Sequence, residues 1–279
     1  MKNGIVRNWM TSPVITVSPD TSLAEARKIV NERNIRALPI MDGDQLVGII
    51  TRRGLLRLDL SSLDEQSWQL KVELKDEKVS DVMTTNPITV SPDWMMPRAA
   101  RVMLENKITA LPVIENDKLV GILTNSDMLR FILGESPSLK KTIPVTNYMT
   151  DDVVIVDPDT SLLEAHRLMG IKRIRSLPVI NENGDLVGIV TRTDLMSSDP
   201  SRLESQNNQQ LSLKILTQSV EKVMSKSLIT IKSNAPLTEA ARLMLENKIH
   251  VLPVVDEEKK LKGVITESDL FLMVVQKFY

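Results

Sequence analysis

The sequence has no cysteine, so neither a disulfide nor a thiolate metal centre can form. Histidine is almost as scarce, with only His166 and His250 in 279 residues, which leaves few side chains suited to general acid–base work. Aromatic residues make up 3%, too few for the stacking platforms that hold single-stranded nucleic acid. Neither sign of charge dominates: 35 basic residues face 36 acidic ones for a net charge of −1. A nucleic-acid partner needs a basic face, and none is expected here. No apolar run approaches the roughly 18 residues of a membrane-spanning helix. The opening MKNGIVRNWMTSP also lacks the apolar stretch of a secretory signal. The expectations are no membrane partner and a cytoplasmic location. Walker A, G-x-G-x-x-G and H-E-x-x-H patterns are missing too, so no enzyme activity is expected.

What the chain does have is 42% hydrophobic residues, enough for sizeable cores, and a fourfold internal repeat. WMTSPVITVSPDTSL at Trp9 returns as VMTTNPITVSPDWMM at Val82, YMTDDVVIVDPDTSL at Tyr148 and VMSKSLITIKSNAPL at Val223. A Leu-Pro pair always follows, with its proline 29 residues after Met10, Met83, Met149 and Met224: Pro39, Pro112, Pro178 and Pro253. Each copy then closes on Gly-x-x-Thr: Gly48/Thr51, Gly121/Thr124, Gly188/Thr191 and Gly263/Thr266. The long spacers follow the first and third copies, so the chain divides into a leading pair (first and second copies) and a trailing pair (third and fourth). The expected boundaries are 1–58 for the first repeat, 59–78 for a spacer, 79–135 for the second repeat and 136–198 for the third. A second spacer at 199–219 and the fourth repeat at 220–279 complete the chain.

Within one copy the pattern predicts strand, helix, strand, strand, helix, an α/β (α+β) unit. In the first copy PVITV (13–17) is β-branched and reads as a short strand. Ser22 and Glu25 have capping-box spacing ahead of a helix to about Arg33. ALPIM (37–41) and QLVGIIT (45–51) read as a hairpin about Asp-Gly-Asp. The second copy has Met95 and Arg98 in place of the capping pair and Pro97 in the first helical turn, which is tolerated but leaves a weaker cap. One such unit leaves an apolar sheet face open, and pairing two copies about a pseudo-twofold axis would close it.

The copies end in GIITRRG, GILTNSD, GIVTRTD and GVITESD. Thr followed three residues later by an acid is an ordinary helix cap. Yet Thr recurs in all four copies, the acid is Asp rather than the usual Glu or Gln, and the preceding glycine permits close approach of another group. A helix N-terminus beside a hydroxyl and a carboxylate also suits a nucleotide, with amides toward phosphate and the acid toward ribose.

On these marks (the VMT…ITV opening, the ALPV strand and the closing GIxTxxD, four times in order) the chain resembles tandem CBS-domain proteins. Its architecture is similar to that of the γ subunit of AMP-activated protein kinase. The resemblance implies four CBS repeats paired into two pseudo-two-fold Bateman modules. It also implies a regulatory ligand, an adenine nucleotide (AMP, ADP or ATP) or S-adenosylmethionine, no required cofactor, and a regulated protein partner. In such families the closing Thr and Asp hold ribose and first phosphate, while strand residues of the paired repeat hold the base. Carried over, one cleft combines Thr124 and Asp127 with Thr16, Arg36 and Ala37. A second combines Thr191 and Asp194 with Thr230, His250 and Val251, and a third combines Thr266 and Asp269 with Ile155, Arg175 and Ser176. The fourth, Thr51 with Thr89, Thr109 and Ala110, has Gly54 where the acid should stand and is expected to be empty or weak. Ile155 replaces the Thr of the other copies, at the loss of a polar contact.

Arg36, Arg175 and His250 take the phosphate-facing position implied by the resemblance, and His250 is expected to make affinity vary near its ordinary pKa of about 6.5. His166, in a helix, is expected to be structural. The alternative reading is a ligand-free structural or protein-interaction module, using the adaptable Met residues or the spacer around Trp68. The two modules would close into a disc within one chain or pair with a second chain as a homodimer.

Overall fold

The computed structural model describes residues 4–56, 77–135, 142–197 and 217–278. The two expected spacers, with Trp68, and most of the join between the pairs lie outside these residues. In the first copy a helix at Leu23–Glu32 precedes β1 (Ala37–Asp42), β2 (Gln45–Thr51) and a helix at Arg52–Leu56. The second copy holds β3 (Thr84–Thr85), a helix at Met96–Asn106, β4 (Ala110–Glu115), β5 (Lys118–Thr124) and a helix at Asn125–Glu135. The third runs through a helix at Leu162–Ile171, β6 (Ser176–Ile180), β7 (Leu186–Thr191) and a helix at Arg192–Ser197. The fourth comprises β8 (Ile231–Lys232), a helix at Leu237–Asn247, β9 (Val251–Val255), β10 (Leu261–Thr266) and a helix at Glu267–Lys277.

The first helices start where their caps dictate. The Glu25 amide donates to Ser22 Oγ and the Glu164 amide to Ser161 Oγ. The second copy has no side-chain cap at Met95, and Pro97 fills its first turn. The strand expected at 13–17 does not form. Only Val17 pairs, in parallel with Ile40, giving its amide to Pro39 and accepting from Met41. Pro13 and Pro19 flank it and offer no amide to a ladder. Val90 and Val156 make the same single bridge, and only the fourth copy widens it into β8, parallel to β9.

The copies pair by reciprocal exchange of their opening segments. Thr11 of the first copy bridges Ile122 on β5 of the second, while β3 of the second copy pairs with Gly48 and Ile49 on β2 of the first. In the trailing pair Thr150 bridges Val264 on β10, and Ser225 bridges Ile189 on β7. This exchange explains the motif glycines. A side chain at Gly121 would overlap Sδ of Met10, one at Gly188 Sδ of Met224, and one at Gly48 Sδ of Met83. At Gly263 the obstacle is the Thr150 carbonyl. The group that approaches these glycines is thus the partner copy's opening segment, chiefly its Met thioether. Along the leading pair's axis, Ala37 and Ile49 meet Ala110 and Ile122 in a small buried cluster topped by Val14.

The two pairs join through the second and fourth copies. The helices of those copies share one core, with Ala99, Ala100, Ala240 and Ala241 fully buried among Met103, Met244, Phe131 and Phe271. Small residues let the helix backbones approach closely. At the positions of Ala100 and Ala241 the first and third copies carry Arg27 and His166, and each of these copies keeps a smaller core of its own. Arg27 instead donates Nε to the Leu55 carbonyl at 2.9 Å, and His166 is half-buried.

Candidate functional site

Each hairpin delivers its closing Thr to the start of the second helix, because the strand ends where that helix begins. The Thr–Asp pairs fold onto one another there. In the second copy the Thr124 amide and hydroxyl both donate to Asp127 Oδ2, at 2.8 and 2.7 Å. Thr191 does the same to Asp194 at 2.8 and 2.7 Å, and Thr266 to Asp269 at 2.7 Å from each group. The capping reading of the motif is therefore built in all three copies that have the acid. In the first copy only half of the cap remains, the Gly54 amide donating to Thr51 Oγ1 at 3.1 Å.

The three acids differ in surroundings. Asp127 is 1% exposed, and its Oδ1 accepts from Arg130 at 2.6 Å and from the Thr11 hydroxyl of the first copy at 3.4 Å. Burial raises its pKa above the ordinary carboxylate value, against the opposing hydrogen bonds from Thr124, the charge of Arg130 and the bond from Thr11. Burial likewise raises Asp269, opposed by the Thr266 bonds. Asp194 and Asp269 are both half-buried.

The residues expected to complete the clefts fall on the facing copies. Ala37 and Val251 are buried, Thr230 and Ser176 are half-buried, and Thr16 and Ile155 are exposed. Thr11, a residue the sequence reading missed, links the first copy to Asp127 through its hydroxyl. Arg36, half-buried, donates Nη1 to Glu267 of the fourth copy at 2.9 Å. Among the described residues Arg175 makes no ion pair.

His250 lies at the junction of the copies. Its Nε2 is sealed from solvent and has no hydrogen-bond partner among the described residues, although the residue as a whole is only half-buried. Its pKa is pushed down to about 4, first by burial and then by the charges of Arg175 and Arg36, against the raising effect of Glu267 and Asp194. The expectation of a titration near 6.5 is corrected accordingly: the unliganded imidazole stays neutral through neutral pH. The charge of Asp194, on the third copy, is the smallest of those acting on this histidine of the fourth.

Two further polar residues were not foreseen. Asn125 and Glu267, the residues directly after the motif threonines, are 3% and 2% exposed, and Asn125 donates Nδ2 to Glu267 Oε2 across the junction between the pairs. Asn125 Oδ1 is buried without a partner among the described residues. The equivalent positions hold Arg52 and Arg192 in the other copies, so nothing in the repeat pattern marks them. Among the described residues no cluster of His, Asp and Glu could hold a metal ion, and no helix is long and apolar enough to cross a membrane.

Comparison with known proteins bears on this arrangement. The family model for the CBS domain matches residues 6–61, 79–134, 145–200 and 220–275. Uncharacterized protein MJ1225 of Methanocaldococcus jannaschii is 29% identical over 266 residues, covering 92% of this chain and 94% of that one. Its crystal structure, described as that of a candidate archaeal homolog of g-AMPK, matches with a TM-score of 0.77 at 28% identity over 96% of this chain and 99% of that one. An uncharacterized conserved protein from Pyrococcus horikoshii matches with a TM-score of 0.68 at 24% identity over 97% of this chain and 100% of that one, a likeness of fold alone. An inosine-5'-monophosphate dehydrogenase of Bifidobacterium longum is 32% identical over 193 residues, which is 67% of this chain but 34% of the dehydrogenase.

Proposed function

This chain belongs to the CBS-domain family, with four copies, and we propose that it is a non-enzymatic sensor whose paired copies bind an adenosine-containing ligand, AMP, ADP, ATP or S-adenosylmethionine. The supporting observation is the junction around His250. Arg36, Arg175, Glu267 and Asp194, drawn from three copies, all act electrostatically on one imidazole whose Nε2 is sealed. A sealed ring nitrogen and a buried amide oxygen are costly to leave without partners, and half-buried Arg175 has no ion pair among the described residues. A ligand phosphate would accept from the Nε2–H tautomer of His250 and from Arg175. The trailing pair is the main site in this reading: Thr191 and Asp194 work with Thr230, His250 and Val251, and Thr266 and Asp269 with Ile155, Arg175 and Ser176. Thr124 and Asp127, with Thr16, Arg36 and Ala37, form a weaker third cleft. The Thr–Asp cap pre-organises the acid, and a ribose hydroxyl would donate to the carboxylate beside the Thr bonds. Binding between two copies would bias their orientation, and a protein partner would read that change.

The test is a thermal melt with each of the four ligands. A ligand at 100 times its Kd stabilises by about 2.7 kcal/mol, or roughly 5–10 °C for a chain of this size. Asp194→Ala and Asp269→Ala should each shrink that shift. No shift with any ligand would leave the protein as an interaction module, and shifts unchanged by both substitutions would reject these clefts.

A further inference from the structure

Glu267 opens the closing helix of the fourth copy and is 2% exposed. A carboxylate so deep is tolerated only when its oxygens are paired. Oε1 accepts from Arg36 of the first copy at 2.9 Å, and Oε2 accepts from Asn125 of the second. One acid of the trailing pair thus fastens two residues of the leading pair. Arg36 is also the cation that the reading above sets beside Asp127 for a ligand's phosphate. A phosphate entering there meets one of two obstacles. It draws Arg36 away and leaves a buried carboxylate with Asn125 alone, or it lies next to that carboxylate as a like charge. Glu267 also reaches His250 of the trailing pair, but the charge of Arg175 outweighs it there, and among the described residues no acid pairs with Arg175. From these contacts we infer that Glu267 is an internal competitor for phosphate: it reserves the leading cleft for ligands that carry adenosine without a phosphate and leaves phosphorylated ligands to the trailing pair. The inference rests on the nucleotide-sensor reading and adds a division of ligand class within it.

The two can be separated by calorimetry with adenosine and AMP, which share base and sugar. Asp194→Ala/Asp269→Ala serves as the background that weakens the trailing clefts. In it adenosine should bind at least as tightly as AMP. Adding Glu267→Gln, which keeps hydrogen-bonding capacity but removes the charge, should raise AMP affinity about tenfold or more and leave adenosine within about twofold. An unchanged AMP-to-adenosine ratio overturns the inference. If the unaltered protein binds AMP but the background binds neither compound, the leading cleft is no site, and the inference falls while the sensor reading stands. If the unaltered protein also binds none of the four ligands, both fall. Should Glu267→Gln not fold, Glu267→Met in the same background replaces it, since it removes the buried charge and leaves Arg36 free to turn to solvent. The same rise of about tenfold in AMP affinity over adenosine is expected, and an unchanged ratio overturns the proposal.

Discussion

The leading and trailing pairs share one mode of assembly, the reciprocal exchange of opening segments over a glycine, but differ in nearly every polar group beside it. Ala37, Ala110, Ile49 and Ile122 seal the leading axis. At the same places the trailing pair has buried Val251 and half-buried Ser176, Ile189 and Val264. The leading pair has lost one acid at Gly54, and its other acid, Asp127, spends its second oxygen on Arg130 and Thr11. Its arginine is held by Glu267. The trailing pair keeps both acids, and it carries His250 where the leading pair has Thr109. Pairing geometry and the polar groups beside it are therefore separable in this chain: a pair can keep the fold while its polar groups are diverted to capping and to joining the pairs.

The largest expected difference between the pairs is acid sensitivity. His250→Thr gives the fourth copy the residue of the second. In the native protein the imidazole is held at about 4 in the fold, against about 6.5 when unfolded. Below about 6.5 the unfolded chain binds the extra proton and the fold does not. Stability is thus complete above that pH and is lost as pH falls through 4, by about 3 kcal/mol in all. Asp127 and Asp269, raised by burial, act with the opposite sign, so the two proteins must be compared at each pH. Denaturant midpoints measured from neutral to acid should show the variant gaining on the native protein. Parallel profiles would mean that His250 is solvated after all and that the trailing pair has no such sealed base.

A smaller effect should come from restoring the missing acid with Gly54→Asp. A Cβ at Gly54 would meet only Ile50 Cγ1 at 3.4 Å and Thr51 Oγ1 at 3.5 Å, ordinary contacts. Replacing glycine in a helix and adding an acid to its first turn should stabilise by about 0.5–1 kcal/mol. The melting temperature should rise slightly, and the leading pair should gain affinity for adenosine. A destabilised protein would show that the first copy cannot accept the capping geometry of the other three.

The repeat, the hairpins, the caps and the pairing of odd with even copies were all legible in the sequence, because each rests on a local pattern that recurs at fixed spacing. The strand at 13–17 was misread because β-branched residues signal extension but not a partner, and the flanking prolines deny it one. The motif glycines were legible as points of close approach, but the approaching thioether lies more than a hundred residues away for Gly121 and Met10. The clasp of Arg36, Asn125 and Glu267 was invisible for a related reason. It depends on which pair meets which, and its residues break the repeat rather than follow it. The depressed pKa of His250 has the same origin, since burial at a junction of copies cannot be read from one copy.

The finest test concerns Arg130, whose counterpart in the fourth copy is Leu272. Arg130 is 55% exposed, yet its partner Asp127 is nearly sealed. Because the guanidinium is half in solvent, Arg130→Ala should cost no more than about 1 kcal/mol in a denaturant titration. The same change frees Asp127 Oδ1, so adenosine binding by the leading pair should tighten slightly and move it toward the trailing pair. A loss well beyond that limit, with no gain in binding, would mean that Asp127 needs Arg130 to remain buried and is a structural acid. The leading pair would then have no acid left for a ligand, and the difference between the pairs would be one of kind.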